Sequence, residues 1–409
     1  MLKAGQNLLL NKRLWHLRQV QPVKGRHWDL EAVGVSEAAL GLTRRMSAVQ
    51  YGDEVFIQQR RQDYWRGHLG QDWLETEHGQ ALNCRPAAWL DLLAAHTRHP
   101  AQTDIKNEFS WSYSRALKYR QCPRAYYYHY YAAWEGWQND APAPVQRAYL
   151  LKNLTELPLW VGTLVHDSIK FALARLKAGH PLVEADLFKR MQARAQADFA
   201  DSRSGRYQQK PNQLTSFQEH YYQRGLAAAE WLAAQAQAER YLGTFLNSAL
   251  YADLQQQPPS TFLAIEELQS FSLAGIKIWV QMDLARQAGD TIYVYDWKTG
   301  PVEEAELRQQ LGIYGLYLRQ TRPQLSSALQ AVVYLLGEDK LLTFDLDEPL
   351  LQETQARIEA SIAHLRGLLL DPQANLADLR RFPMIDDLSV CRCCQFRELC
   401  GRDKEQGSR

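Results

Sequence analysis

At 409 residues, with 46% hydrophobic and 23% charged residues and a formal net charge of +1, the chain has an ordinary globular composition and room for more than one domain. No apolar stretch approaches the length of a membrane span, so a membrane role is not expected, and the near-neutral charge neither demands nor forbids a nucleic-acid partner. Residues Met1 to Leu17 break Leu8-Leu9-Leu10 with Asn11-Lys12-Arg13, which leaves no secretory core and makes the cytoplasm the expected compartment.

Residues 1–105 carry few signals, a strand expected over Glu54 to Gln59 and a helix over Pro86 to His96, and read as an N-terminal module without an assigned role. A helix over Ser112 to Arg120 leads into Cys122-Pro123-Arg124-Ala125-Tyr126-Tyr127. Around it Trp111, Tyr113, Arg115, Lys118, Arg120, Arg124 and the run Tyr126 to Tyr131 interleave bases with aromatics. Such a pattern suits phosphate contact with base stacking, or equally burial of the aromatics in a core. Gly162 and His166 stand one helical turn apart, so a neighbouring backbone can approach where the imidazole projects. A helical insertion is expected over 178–250, with helices at Leu182 to Ala200 and Ser216 to Leu250 and a polar loop at Asp201 to Leu214.

Strands are expected at Thr261 to Phe271, Ile276 to Leu284 and Ile292 to Trp297, the last two joined by a turn at Gly289-Asp290. Asp283 falls near the end of the second. Asp296 and Lys298 sit two apart on the third, and side chains alternate with period two, so both face one side with Ile292 and Val294. Tyr293, Tyr295 and Trp297 take the other side. Two carboxylates and an ammonium therefore converge, as suits hydrolysis of a phosphodiester assisted by Mg2+ or Mn2+. Glu266 and Glu267 lie on the first strand, where a rim position is expected rather than a ligand role. A helix at Glu303 to Arg319 places Gln310 and Tyr314 at i and i+4. Strands at Ala328 to Leu336 and Lys340 to Leu346 and a helix at Leu350 to Leu370 follow, an order that predicts an α/β core with a mixed sheet flanked by helices.

Six cysteines occur, four of them in the last twenty residues. Cys391-x2-Cys394-x5-Cys400 supplies three thiolates, and Cys122 is the natural fourth, which would staple the C-terminus to an upstream segment. Zinc and an iron–sulfur cluster both fit four thiolates. Cys393 reads as a bystander and Cys84 as a small buried residue.

Cys122-Pro-Arg, Gly162-x3-His166, Asp283, Asp296-x-Lys298, Gln310-x3-Tyr314 and the C-terminal cysteines, in this order over residues 106–409, resemble the iron–sulfur members of the PD-(D/E)xK nuclease superfamily. The likeness is to the RecB/AddB type and to the CRISPR-associated adaptation nuclease. It implies a restriction-endonuclease-like core, with His166, Asp283, Asp296 and the Trp297 carbonyl as metal ligands and Lys298 as the catalytic lysine. It further implies Gln310 and Tyr314 near the substrate and a 4Fe-4S cluster on Cys122, Cys391, Cys394 and Cys400. Met282 stands where the superfamily's name has proline. The implied activity is a metal-dependent DNA exonuclease on single-stranded or frayed ends, in repair, recombination or mobile-element defence. The alternative is a non-catalytic DNA-binding or assembly subunit, whose mark would be loss of an acid or the lysine; none is lost. No Gly-Lys-Ser or Gly-Lys-Thr occurs, so unwinding is expected from a helicase or other defence or repair protein as partner.

Overall fold

The computed structural model describes residues 1–60, 63–100, 104–223, 225–322 and 328–402, and the chain divides into two compact units. One comprises Met1–Glu108, Cys122–Lys152 and Leu368–Arg409; the other comprises Phe109–Gln121 and Asn153–Gly367.

The first unit opens with eight strands: β1 (Asn7–Leu10), β2 (Arg13–Lys24), β3 (His27–Gly34), β4 (Thr43–Tyr51), β5 (Glu54–Arg60), β6 (Asp63–His68), β7 (Trp73–Thr76) and β8 (Gly79–Ala87). They pair in the order β1-β2-β3-β4-β5-β6-β8-β7, and a parallel β1–β8 pairing closes the ring. Closure leaves no open edge between β1 and β8 and turns alternate residues inward. Leu8, Trp15, Leu17, Ile57, Leu82 and Cys84 fill that interior. The short helix α1 (Trp89–Thr97) follows. Of these elements, only β5 and α1 were expected from the sequence.

Later parts of this unit are α3 (Pro123–Tyr127), a π-helical turn over Tyr128–Ala132, α4 (Ala143–Lys152), and a C-terminal segment that ends in α12 (Leu388–Arg392) and a 3-10 turn over Arg397–Cys400. Tyr126, Tyr127, Tyr128 and Tyr131 are buried. Their rings pack on Phe382 and Phe396, Arg124 Nε donates to the Phe382 carbonyl at 2.7 Å, and Tyr128 OH donates to the Leu399 carbonyl at 3.0 Å. Between the two readings of this aromatic run, burial is the one that holds for these four tyrosines.

The second unit carries a five-stranded sheet in the order β10-β13-β14-β15-β16 and a three-stranded sheet in the order β11-β12-β9. These strands are β9 (Ser110–Trp111), β10 (Phe262–Ile265), β11 (Leu268–Leu273), β12 (Ile276–Gln281), β13 (Leu284–Ala288), β14 (Thr291–Lys298), β15 (Ala328–Leu335) and β16 (Lys340–Asp345). β13 and β14 are antiparallel and β14 and β15 parallel, so the larger sheet is mixed. Helix α2 (Tyr113–Gln121) follows β9. Four helices, α5 (Leu157–Lys177), α6 (Glu184–Ser204), α8 (Ala228–Leu246) and α9 (Ala249–Gln255), share an apolar core with one face of the sheet; α7 (Gln218–Tyr221) is a single turn between them. Trp160, Val165, Leu242 and Phe245 meet Tyr295, Trp297 and Tyr334 there.

The opposite face, by alternation along β14, is that of Asp296 and Lys298. Helix α10 (Glu304–Thr321) lies on it and packs on α11 (Glu348–Gly367). A Cβ at Gly312 would lie 2.1 Å from Thr354 Oγ1, so the two helices approach at a distance that only glycine allows.

Two expected strands are each interrupted. The stretch 261–271 is split into β10 and β11, and 276–284 into β12 and β13, with both breaks at one place. There Glu266 takes a left-handed φ of 50° and its N–H donates to the carbonyls of Met282 at 3.0 Å and Asp283 at 3.1 Å. Pairing resumes on both sides, Ile265 opposite Leu284 and Leu268 opposite Gln281. The break puts Glu266 beside Asp283.

Candidate active site

The irregularity in the ladder, the end of β14, the middle of α5 and the first turns of α10 border one pocket of about 370 Å³. His166, Asp283, Asp296, Lys298, Gln310 and Tyr314, all singled out from the sequence, line it.

His166 comes from α5 because Gly162, one turn earlier, lets the helix lie close to the chain after β14; a Cβ there would sit 3.0 Å from Thr299 Oγ1. The imidazole spans two elements. Its Nε2 is 3.1 Å from the Trp297 carbonyl oxygen, and its Nδ1 is 3.0 Å from Glu266 Oε1 and 3.4 Å from Asp283 Oδ1. Asp283, 6% exposed, accepts the Trp297 N–H on Oδ2 at 2.6 Å. Asp296, 2% exposed, accepts on Oδ1 from Tyr314 OH at 3.2 Å and Gln310 Nε2 at 3.4 Å. Its Oδ2 has the Lys298 ammonium at 2.6 Å as an ion pair, without a directed hydrogen bond among the described residues. Lys298 Nζ in turn donates to Gln310 Oε1 at 2.9 Å, and Gln310 Nε2 meets Tyr314 OH at 2.6 Å. Asp296 Oδ2 apart, the polar ends of this network are hydrogen-bonded to neighbours.

Electrostatics follow from crowding three acids in a buried space. Burial pushes the Asp283 carboxyl upward and the Asp296 charge adds to this, against the opposing pull of His166. Burial also disfavours the charged imidazole of His166. The Asp283 and Glu266 carboxylates outweigh it, so its pKa is pushed up to about 11. Tyr314 is raised well above the usual phenol range by burial and by Asp296 and Asp283, and remains a hydrogen-bond donor at any ordinary pH. The site therefore holds a proton on His166 that compensates its acids.

The donor set fits a hard divalent cation. Carboxylates, a carbonyl and an imidazole converge, Asp296 Oδ2 is buried without a directed hydrogen bond, and His166, Glu266 and Asp283 each offer an atom within 4.8 Å of the others'. Glu266 is the residue that sequence reasoning placed on the rim and that the structure places inside. A strand reading assumes period two through residue 266, and the left-handed turn at that residue breaks the period. Glu267, beside it, is exposed and accepts from Gln269 Nε2 at 3.2 Å.

In the other unit, Cys122 is buried at the head of α3, Cys391, Cys394 and Cys400 are half-buried, and Cys393 is exposed. Burial pushes the Cys400 thiol up to about 11; Tyr128 and Arg124 act against the rise, and Cys122 and Cys391 add to it. Cys400 thus feels thiols from both segments. Arg402 Nη1 donates to Cys391 Sγ at 2.9 Å and the Phe396 N–H to Cys394 Sγ at 3.4 Å. Of the remaining aromatic and basic positions, Trp111 is buried with its Nε1 donating to Ser361 Oγ at 3.0 Å, and the Arg120 guanidinium lies over the Tyr113 ring.

A model of the PD-(D/E)XK nuclease superfamily matches residues 110–401. No curated protein matches the chain. One solved structure, described as "Crystal structure of SSO0001", is 19% identical over 45% of this chain and 79% of its own, with a TM-score of 0.24, a likeness too slight to carry an argument. No helix among the described residues is long and apolar enough to cross a membrane.

Proposed function

The chain belongs to the PD-(D/E)XK nuclease superfamily, whose members are generally hydrolytic nucleases using divalent metals, and from that premise we propose that it is a metal-dependent deoxyribonuclease acting as an exonuclease on single-stranded or frayed DNA ends. The observation that carries this reading is the convergence of Asp283, Asp296, His166 and Lys298 on one open pocket. Asp283, Asp296, the Trp297 carbonyl and His166 would hold Mg2+ or Mn2+. When bound, the ion polarises the phosphate and lowers the pKa of an attacking water. Lys298, held by Asp296 and Gln310, orients that water and offsets the charge that develops on the phosphate. Gln310 and Tyr314 fix the direction of Asp296 and line the side where substrate would enter.

The RecB/AddB-like order of motifs supports an end-directed role beside a helicase or another repair or defence protein. Incubated with Mg2+ or Mn2+, the protein is expected to degrade end-labelled single-stranded DNA and to spare the same strand closed into a circle. Equal cleavage of both would reject the exonuclease reading, and cleavage of neither would favour a binding or assembly subunit.

Cys122, Cys391, Cys394 and Cys400 would hold a 4Fe-4S cluster bracing the C-terminal segment against α3. A single zinc, about 2.3 Å from each sulfur in a tetrahedron, would bring the sulfurs to about 3.8 Å from one another. Cys122 and Cys391 both act on the Cys400 thiol, so sulfurs of the two segments lie near one another, as either group requires. Protein purified without oxygen is expected to contain about four iron and four sulfide per chain, to lose both on Cys122→Ser and to keep both on Cys393→Ser. Stoichiometric zinc without iron would reject the cluster.

A further inference from the structure

The break in the ladder at Glu266 is not explained by strand pairing. A glutamate at a φ of 50° is in a region that disfavours a residue with a Cβ, and such residues persist where surrounding structure holds them, most often at functional sites. The Glu266 N–H is anchored on the Met282 and Asp283 carbonyls, and its carboxylate is anchored as well. Oε1 is 3.0 Å from His166 Nδ1, and Oε2 accepts from Gln281 Nε2 at 2.7 Å. Both oxygens are thereby engaged, one on each side.

The two nitrogens of His166 are then distinct. Nδ1 faces Glu266 at 3.0 Å, with Asp283 Oδ1 farther off at 3.4 Å, whereas Nε2 faces the carbonyl of Trp297, the residue between Asp296 and Lys298. The 3.1 Å between Nε2 and that oxygen is also the separation of neighbouring ligands about a hard cation with bonds of about 2.1 Å, which stand about 3.0 Å apart. A metal-ligating histidine that donates its other N–H to a carboxylate has its tautomer and ring orientation set by it.

We propose that Glu266 is a positioning residue of the metal site: it accepts the Nδ1–H of His166, so that the Nε2 lone pair is directed at the cation beside the Trp297 carbonyl, and Gln281 holds Glu266 in turn. The proposal rests on the metal-nuclease reading above. It separates Glu266 from a direct ligand, because a direct ligand acts with or without the imidazole and a positioning carboxylate acts only through it.

The test is a double-mutant cycle on the full chain, reading Mn2+ affinity by titration calorimetry with thermal melting as the check on folding. Glu266→Ala is expected to weaken Mn2+ binding about 10- to 100-fold, and to cause no further loss in a protein already carrying His166→Ala. Glu266→Gln is expected to restore most of the affinity, since its amide oxygen still accepts from Nδ1 and Gln281 can turn its own amide to suit. An equal loss from Glu266→Ala with and without His166 would overturn the proposal in favour of direct ligation. Wild-type affinity in Glu266→Ala, or no rescue by Glu266→Gln in a folded protein, would overturn it as well. Failure of the unsubstituted protein to bind Mn2+ would instead overturn the metal-site reading, and this inference with it.

Discussion

Asp296→Asn is expected to lower metal-dependent DNA cleavage by at least about a thousandfold while the protein stays folded. Asparagine keeps the shape and an oxygen to accept from Tyr314, so the packing under α10 survives. What is lost is the charge. Without it the site loses a hard anionic ligand and the ion-pair partner of Lys298. Lys298 keeps its bond to Gln310 and its side chain is 19% exposed, so its ammonium is not stranded in a dry interior. Asp283 also loses a like-charged neighbour, which removes one of the causes of its raised pKa. Circular dichroism and thermal melting would report an intact fold. Cleavage persisting near the wild-type rate in a clean preparation would mean that Asp296 is not a ligand on the reaction path.

Metal affinity should rise steeply with pH. In the metal-free protein the acids hold His166 protonated up to about pH 11, so at neutral pH a cation that takes Nε2 must displace a proton. At least one proton released per ion makes affinity increase at least about tenfold per pH unit, and the raised Asp283 carboxyl steepens the slope wherever it too carries a proton. The sign is opposite for stability without metal. A group whose folded pKa lies above its unfolded value of about 6.5 contributes its full stability below that value and loses it as pH rises toward the folded pKa. Metal-free protein should therefore melt at lower temperature at pH 9 than at pH 7 from this cause, while Mn2+ restores what is lost. Mn2+ titrations at several pH values in two buffers of different ionisation enthalpy would count the protons. A slope of zero would mean that His166 binds the cation without giving up a proton, or does not bind it.

Much of the site was legible because its parts are local. Asp296 and Lys298 share a face through the period of a strand, Gln310 and Tyr314 share one through the turn of a helix, and Gly162 stands one turn from His166. Their joining was legible only through the order of motifs, since nothing in residues 157–177 alone says that α5 delivers its imidazole to Trp297, 131 positions away. Other features left no local trace. Strands β1 to β6 and β8 are mixed in polarity, and what closes them into a ring is the pairing of β1 with β8, residues 7–10 against 81–84. The split of the chain into units that each draw on several segments likewise depends on distant contacts rather than on any linker.

The amino-acid sequence by itself determined the types and order of the groups that line the candidate site, and which face of β14 Asp296 and Lys298 share, because these follow from side-chain identity and backbone period. Only the tertiary structure decided that Glu266 belongs among them. That depends on a left-handed residue opposite Met282 and Asp283, a break in pairing settled where two distant segments meet, and no period within either segment encodes it.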